Sequence, residues 1–242
     1  MADRSILSTA AMAVTLLAMT PCTLAQPRSP EKVNVADSVG GIRTDRLTSR
    51  QHRIWKRIEQ IAGAVDKAGQ PLHPRLYSLW QWAKRSGHAI TIDMSERRGS
   101  QSAGKTTPGK ADFEGQPRAA DLWLHLWAID NANVNPAASR ADGLIPFGGL
   151  GKYERYAEIV GHELAHAFLI LENPEYAHLY SEMRLEADRH LLSRLQHSKG
   201  RADGAAARQQ QERLRSMIHE IEKPADEAEL EIWRELVLGH RK

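Results

Sequence analysis

The composition is that of an ordinary folded protein. The 242 residues are 41% hydrophobic and 26% charged, which excludes collagen-like, wholly disordered and multispan membrane proteins. With 33 Lys+Arg against 30 Asp+Glu, the net charge is only +3, so we expect no nucleic-acid partner. The single cysteine, Cys22, excludes an internal disulfide and a zinc site made of cysteines.

The start of the chain has the pattern of a secretory signal. The run from Ile6 to Met19 is apolar but too short to span a bilayer. Thr23-Leu24-Ala25 then fits the small-x-small rule for signal peptidase. We expect residues 1–25 to be a signal peptide and the mature chain, starting at Gln26, to be secreted or periplasmic without a transmembrane helix. An uncleaved anchor is the alternative.

The mature chain begins with a polar, proline-containing stretch. Residues 26–41 show no hydrophobic period and are expected to form a flexible leader, with one domain over residues 42–242. A first helix is predicted by apolar residues that recur every three to four positions. An arginine stripe runs beside them. It is predicted to be either a solvated face of the helix or a surface that contacts an anionic partner. The apolar positions are Leu47, Ile54, Ile58, Ile61 and Val65, and the arginine stripe is Arg43, Arg46, Arg50, Arg53 and Arg57.

The next elements alternate between short regular segments and long loops. Pro74 to Ser86 is predicted as a helix and His88 to Asp93 as a strand. Residues 95–117 are rich in Gly, Ser, Lys and Thr, which predicts a long exposed loop. Leu122 to Trp127 alternates as a half-buried strand does, although the same letters would also form an apolar helix. Residues 131–151 read as a further loop.

The second half of the chain is predicted to be helical. Lys152 to Leu171 is a strong helix, and Asn173-Pro174 starts another that runs to about His197. Two more helices are expected at residues 205–222 and 226–238, separated by Pro224. Because the only strands precede this half, the fold class is predicted as α+β, mostly helical, with a small sheet ahead of the 152–171 helix.

One motif in that helix carries chemistry. His162-Glu163-Leu-Ala-His166 puts two histidines four residues apart, about 40° apart around a helix, so both imidazoles can reach one ion. Zinc is the expected cofactor. Glu163, about 100° around the helix from His162, can lie beside the ion and act as general base toward a metal-bound water, and later as acid toward a leaving amine.

Residues Val160 to Phe168 resemble the zincin metallopeptidases. The resemblance implies a zincin-like fold, a catalytic zinc and a peptide or protein substrate. The metzincin branch needs Gly and His where this chain has Leu169 and Glu172. The gluzincin branch instead takes a glutamate from a later helix, often within a Glu-x-x-x-Asp or Glu-Ala-Asp segment, and the stretch from Ser181 to His190 is suitable.

Two glutamates in that stretch compete for the position of third ligand. Helix geometry puts Glu186 next to the apolar face of the predicted helix and turns Glu182 further toward solvent. We therefore expect the metal ligands to be His162, His166 and Glu186. Glu182, Asp188 and His190 are the alternatives.

The function expected from these features is that of a secreted or periplasmic zinc peptidase, in which zinc-activated water hydrolyses an amide bond with Glu163 as base. The alternatives are another zinc hydrolase, or a non-enzymatic envelope protein with a structural or catalytically silent zinc. Tyr180, His178 and His190 could each donate to an oxyanion, and none is assigned. By the same resemblance, Leu122 to Trp127 is expected to be the edge strand beside the cleft, where a substrate could add by main-chain pairing.

Overall fold

The structure is a computed structural model. It describes residues 40–98, 102–109, 115–131, 149–197 and 204–239, and only the backbone at 190–197 and 204–207. The expected signal peptide, nearly all of the leader and most of the 131–151 loop lie outside these ranges. Within them the chain is α+β, as predicted, with six helices and one small sheet.

The sheet has four strands and mixed direction. They are β1 (Gly41–Arg43), β2 (Ala89–Ser95), β3 (Gly104–Pro108) and β4 (Ala119–His125), in the order β1-β2-β4-β3. β1, β2 and β4 run parallel to their neighbours, whereas β3 is antiparallel to β4. Among the strands that the structure describes, β3 is therefore at an edge of the sheet.

The strand predicted from Leu122 is present but ends two residues early and is not at the edge. β4 pairs on both sides, with Leu122 opposite Ile92 in β2 and Thr106 in β3. Helix α3 (Leu126–Asn131) begins where the predicted strand should have continued. The expected edge position was wrong, because the segment interpreted as a loop contains β3. That strand lacks large apolar side chains, so hydrophobic patterning could not detect it.

Five longer helices complete the described part of the fold. They are α1 (Ser49–Ala62), α2 (Pro74–Arg85), α4 (Lys152–Glu172), α5 (Pro174–His197) and α6 (Gly204–Gly239). The first four lie within a few residues of their predicted bounds. α1 starts with a capping box, in which Thr48 and Gln51 each accept a hydrogen bond from the other's backbone N–H.

α6 corrects the prediction of two C-terminal helices, because it continues through Pro224. An interior proline costs a helix about 3 kcal/mol. Burial of each large apolar side chain stabilises the folded state by roughly 1.5–3 kcal/mol. Such side chains are almost completely buried on both sides of the proline: Ile221, Ile232 and Leu236. Packing therefore outweighs the local preference to break the helix.

The main core lies between one face of the sheet and helices α1, α2 and α4. Alternate residues of β2 and β4 face it, and α6 packs against α2 and α4 and adds buried residues to the same core. A second, smaller cluster joins α4, α5 and α6. Its buried members are Ile170, Tyr176, Tyr180 and Ile221.

The arginine stripe is partly paired within the molecule. Arg46 lies 3.5 Å from Asp121, and Arg50 lies 3.0 Å from Glu96. Both pairs are exposed, so each adds little stability. As for membranes, none of the helices in the described ranges is long and apolar enough to cross a bilayer.

Candidate metal centre

The structure brings the two histidines of the motif together on buried turns of α4. His162 and His166 are 7% and 5% exposed, and their Nε2 atoms are 3.1 Å apart. The rings meet edge to face. Both nitrogen lone pairs can therefore be directed at a single point beside the helix.

The carboxylate that meets them comes from α6. Oε2 of Glu222 lies 3.3 Å from Nε2 of His166 and 3.5 Å from Nε2 of His162. Burial opposes ionisation of Glu222, but its interactions with the two histidines outweigh that effect and hold the pKa of the carboxyl far below its usual range. The three atoms form a compact triangle, which we call the ligand triangle.

The ligand triangle differs from the expected set of ligands in its third member, which is Glu222 and not Glu186. Glu186 is buried on α5, as the helix arithmetic predicted, but its carboxylate lies near Arg189, at 3.5 Å. Among the described residues, Glu186 belongs to neither group of side chains that could hold a metal ion. Glu182 is at the surface, 3.6 Å from His178. Helix geometry identified the inward side of α5, but it could not say which helix crosses α4 beside the histidines.

The sequence did contain a signal for Glu222. Glu222 and Asp226 have the Glu-x-x-x-Asp spacing that was sought in α5, and Glu229 follows three residues later. Positions i, i+4 and i+7 share one face of a helix. The expected helix break at Pro224 divided this face in two, which hid the pattern.

A glycine allows α6 to approach α4 closely at this level. A Cβ on Gly161 would come within 2.4 Å of Cδ1 of Ile232 and 3.2 Å of Cδ1 of Leu76. Ile232 is fully buried against α4. The absence of a side chain at the residue before His162 thus lets the acidic face of α6 reach the imidazoles.

The outer nitrogen of each histidine also lies close to polar groups. Nδ1 of His162 lies 2.7 Å from Oε2 of Glu229 and 3.9 Å from Oδ1 of Asp226. Nδ1 of His166 lies 2.7 Å from the hydroxyl of Tyr176. Burial disfavours a charged His162, but Glu222 and Glu229 outweigh that effect and raise the pKa of the imidazole well above its ordinary value.

Glu163 lies outside the ligand triangle and is held by the edge strand. The hydroxyl of Thr106 in β3 is 2.7 Å from Oε2 of Glu163 and 2.9 Å from its main-chain oxygen, so it can donate to either. A Cβ on Gly104 would come within 2.4 Å of Oε1 of Glu163. Burial raises the pKa of Glu163 despite the nearby histidines. The edge strand therefore contacts the side chain of the predicted catalytic base and limits its movement.

Two of the three residues considered as oxyanion donors contact groups outside the ligand triangle. The hydroxyl of Tyr180 donates to the main-chain oxygen of Thr106, at 2.7 Å. His178 is exposed beside Glu182, and the side chain of His190 lies outside the described part of the chain.

The electrostatics of the centre favour a cation. Glu163, Glu222, Asp226 and Glu229 surround two imidazoles, and two of these four carboxylates, those of Glu163 and Glu229, are almost fully buried. The buried His, Glu and Asp atoms could bind a metal ion, most directly through His162, His166 and Glu222. No family model, curated protein or solved structure gives a significant match to this chain.

Proposed function

We propose that the chain is a zinc-dependent peptidase, resembling the gluzincin-like zincins, that hydrolyses an amide bond in a peptide or protein. The observation that carries the zinc site is the size of the ligand triangle, whereas the amide substrate comes from the resemblance to the zincins. Zinc bonds of about 2.0–2.1 Å at tetrahedral angles separate neighbouring ligand atoms by about 3.3–3.4 Å. The edges of the ligand triangle are 3.1, 3.3 and 3.5 Å.

The donor set supports a catalytic zinc over a structural one. Two imidazole nitrogens and one carboxylate oxygen are three protein ligands, and such a set leaves a fourth position open. Zinc in a site of this kind supplies Lewis acidity and makes water more acidic. Since the Glu222 side chain is 44% exposed, solvent has access to the ligand triangle from the α6 side.

The chain's own contribution to the reaction centres on Glu163. Its carboxylate is buried next to the ligand triangle and is oriented by Thr106. In that position it can take a proton from the attacking water and later give it to the leaving amine, as a general base and then acid. A purely structural metal site would need no carboxylate in this place.

The edge strand is the surface proposed for the substrate. β3 has one side paired with β4, so its other side could add an extended peptide by main-chain hydrogen bonds. Because Tyr180 already donates to the carbonyl of Thr106, pairing at that residue requires the Tyr180 side chain to move.

The test uses the chain from Gln26 to Lys242, purified without chelators. We expect one zinc per chain in the wild type and in Glu163→Gln, because Glu163 is not a ligand. Turnover of a mixed peptide library should fall by about 10²–10⁴ in Glu163→Gln, the usual effect of losing a general base. The matched control is Glu175→Gln, a glutamate at an exposed position of α5, which should keep both zinc and turnover.

Two results would overturn the proposal. Absence of bound zinc from the wild type would remove the metal site, and bound zinc with no turnover on any peptide would favour the non-enzymatic envelope protein.

The proposal also includes export to the periplasm or exterior. Mass spectrometry of exported protein should find Gln26 at the N-terminus, whereas a chain that still begins at Met1 would contradict export through a cleaved signal.

A further inference from the structure

We propose that Tyr176 is a positioning residue, which fixes the ring of His166 with Nε2 facing the metal position and ties that ring to the backbone beside Glu222. The inference rests on the proposed metal site. It assigns a role to a side chain that the motif does not contain and that lies on a third helix, α5.

The hydroxyl of Tyr176 has two polar partners on two different helices. It lies 2.7 Å from Nδ1 of His166 on α4 and 2.8 Å from the main-chain oxygen of Ile221 on α6. The residue is only 7% exposed, so water has little access to these bonds. Both contacts are short enough to be full hydrogen bonds.

Counting protons assigns the direction of each bond. A carbonyl oxygen can only accept, and a tyrosine hydroxyl has one proton. The hydroxyl therefore donates to Ile221 and must accept from Nδ1 of His166.

The bond to Tyr176 decides which nitrogen of His166 can bind a metal. A neutral imidazole carries one proton, and with that proton on Nδ1 the lone pair is on Nε2. Nε2 is the atom 3.3 Å from Glu222 and 3.1 Å from His162. The tautomer that metal binding requires is thus selected by the Tyr176 hydroxyl.

The same hydroxyl also constrains the third ligand. Ile221 is the residue before Glu222, so its carbonyl belongs to the peptide unit that precedes the ligand. Tyr176 is itself fixed at the start of α5, where Asn173 accepts a hydrogen bond from its backbone N–H at 3.1 Å. One side chain thereby sets the spacing between His166 on α4 and Glu222 on α6.

The test compares Tyr176→Phe with Tyr180→Phe. Both variants remove one hydroxyl from a buried tyrosine of α5, but Tyr180 bonds to Thr106 and not to a histidine. Long-range proton–nitrogen NMR on the metal-free protein, at a pH where the imidazole is neutral, reports the tautomer of His166. We expect the Nδ1–H form in the wild type and in Tyr180→Phe, and the Nε2–H form to become populated in Tyr176→Phe.

Zinc affinity gives the second measurement. Loss of a partner of a ligating histidine usually weakens metal binding by about 10–100-fold, and we expect this loss for Tyr176→Phe but not for Tyr180→Phe. Equal losses in both variants, or none in Tyr176→Phe, would overturn the inference.

The wild type alone also tests the inference, so it does not depend on the folding of a variant. An Nε2–H tautomer of His166 in the wild-type chain would overturn it directly. A wild-type chain that shows the Nδ1–H tautomer but binds no zinc would overturn the proposed function, while supporting the assigned contact between Tyr176 and His166.

Discussion

Nδ1 of His162 lies 2.7 Å from a carboxylate oxygen of Glu229, whose side chain is completely buried. The other nitrogen of the same imidazole, Nε2, faces His166 and Glu222. Carboxylates in this position fix the ring and increase the basicity of the ligating nitrogen.

We expect Glu229→Gln to weaken zinc binding by about 10–100-fold, because the amide keeps the shape of the side chain but not its charge. Glu227→Gln is the control, since Glu227 is an exposed residue of the same helix. Competition with a chromophoric chelator measures both affinities. Equal affinities in the two variants would mean that Glu229 does not support His162.

The two candidate third ligands can be separated directly. Glu222→Ala removes an atom of the ligand triangle, so zinc affinity should fall by more than about 100-fold, beyond the range of outer-shell substitutions. Glu186→Ala removes a carboxylate that pairs with Arg189 and should leave affinity nearly unchanged. The opposite result would assign the ligand to α5, as the sequence had suggested, and would contradict the observed placement of α6.

The edge strand can be tested at Gly104. Gly104→Ala places a methyl group against Glu163, with which it cannot coexist unless one of them moves. We expect zinc to stay bound while turnover falls by roughly 10²-fold, the usual effect of displacing a catalytic group by about 1 Å.

The control for Gly104→Ala is Gly87→Ala, where a Cβ meets no atom within 4 Å. Gly87→Ala should keep both bound zinc and full turnover. If Gly104→Ala retained full turnover, β3 would not position Glu163.

The pKa of Tyr156 predicts how the free energy of unfolding changes at alkaline pH. Burial, and next the hydrogen bond to Asp130, raise the pKa of Tyr156 from 10.0 to about 12. Because the folded-state pKa is the higher one, the stabilising contribution is complete below pH 10 and is lost as pH rises toward 12. After allowance for solvent screening at the partly buried hydroxyl, this contribution is about 1–2 kcal/mol.

Denaturant unfolding at several pH values measures this loss. Tyr156→Phe should make the decline in unfolding free energy between pH 10 and 12 shallower. Tyr153→Phe, which alters a more exposed neighbour in the same helix, should keep the wild-type slope. Parallel slopes for all three proteins would rule out this contribution from Tyr156.

Local patterns in the sequence determined most of the helices and the first three residues of the candidate site. The starts of α2, α4 and α5 were predicted because prolines, caps and apolar periods act within one or two turns of chain. His162, Glu163 and His166 lie within a single helical turn or little more. Their joint orientation follows from helix geometry whatever the rest of the chain does.

The tertiary structure decided which carboxylate lies beside the two histidines and which strand holds Glu163. His166 and Glu222 are 56 residues apart, and Thr106 and Glu163 are 57 residues apart. No helical or strand period extends over such distances. Glu222 reaches the histidines because burial of Ile221 and Ile232 keeps α6 continuous through Pro224, and β3 forms because β4 offers it a partner. The packing of α6 and the pairing of β3 are interactions between segments that are distant in the sequence. Such interactions form only when the chain folds.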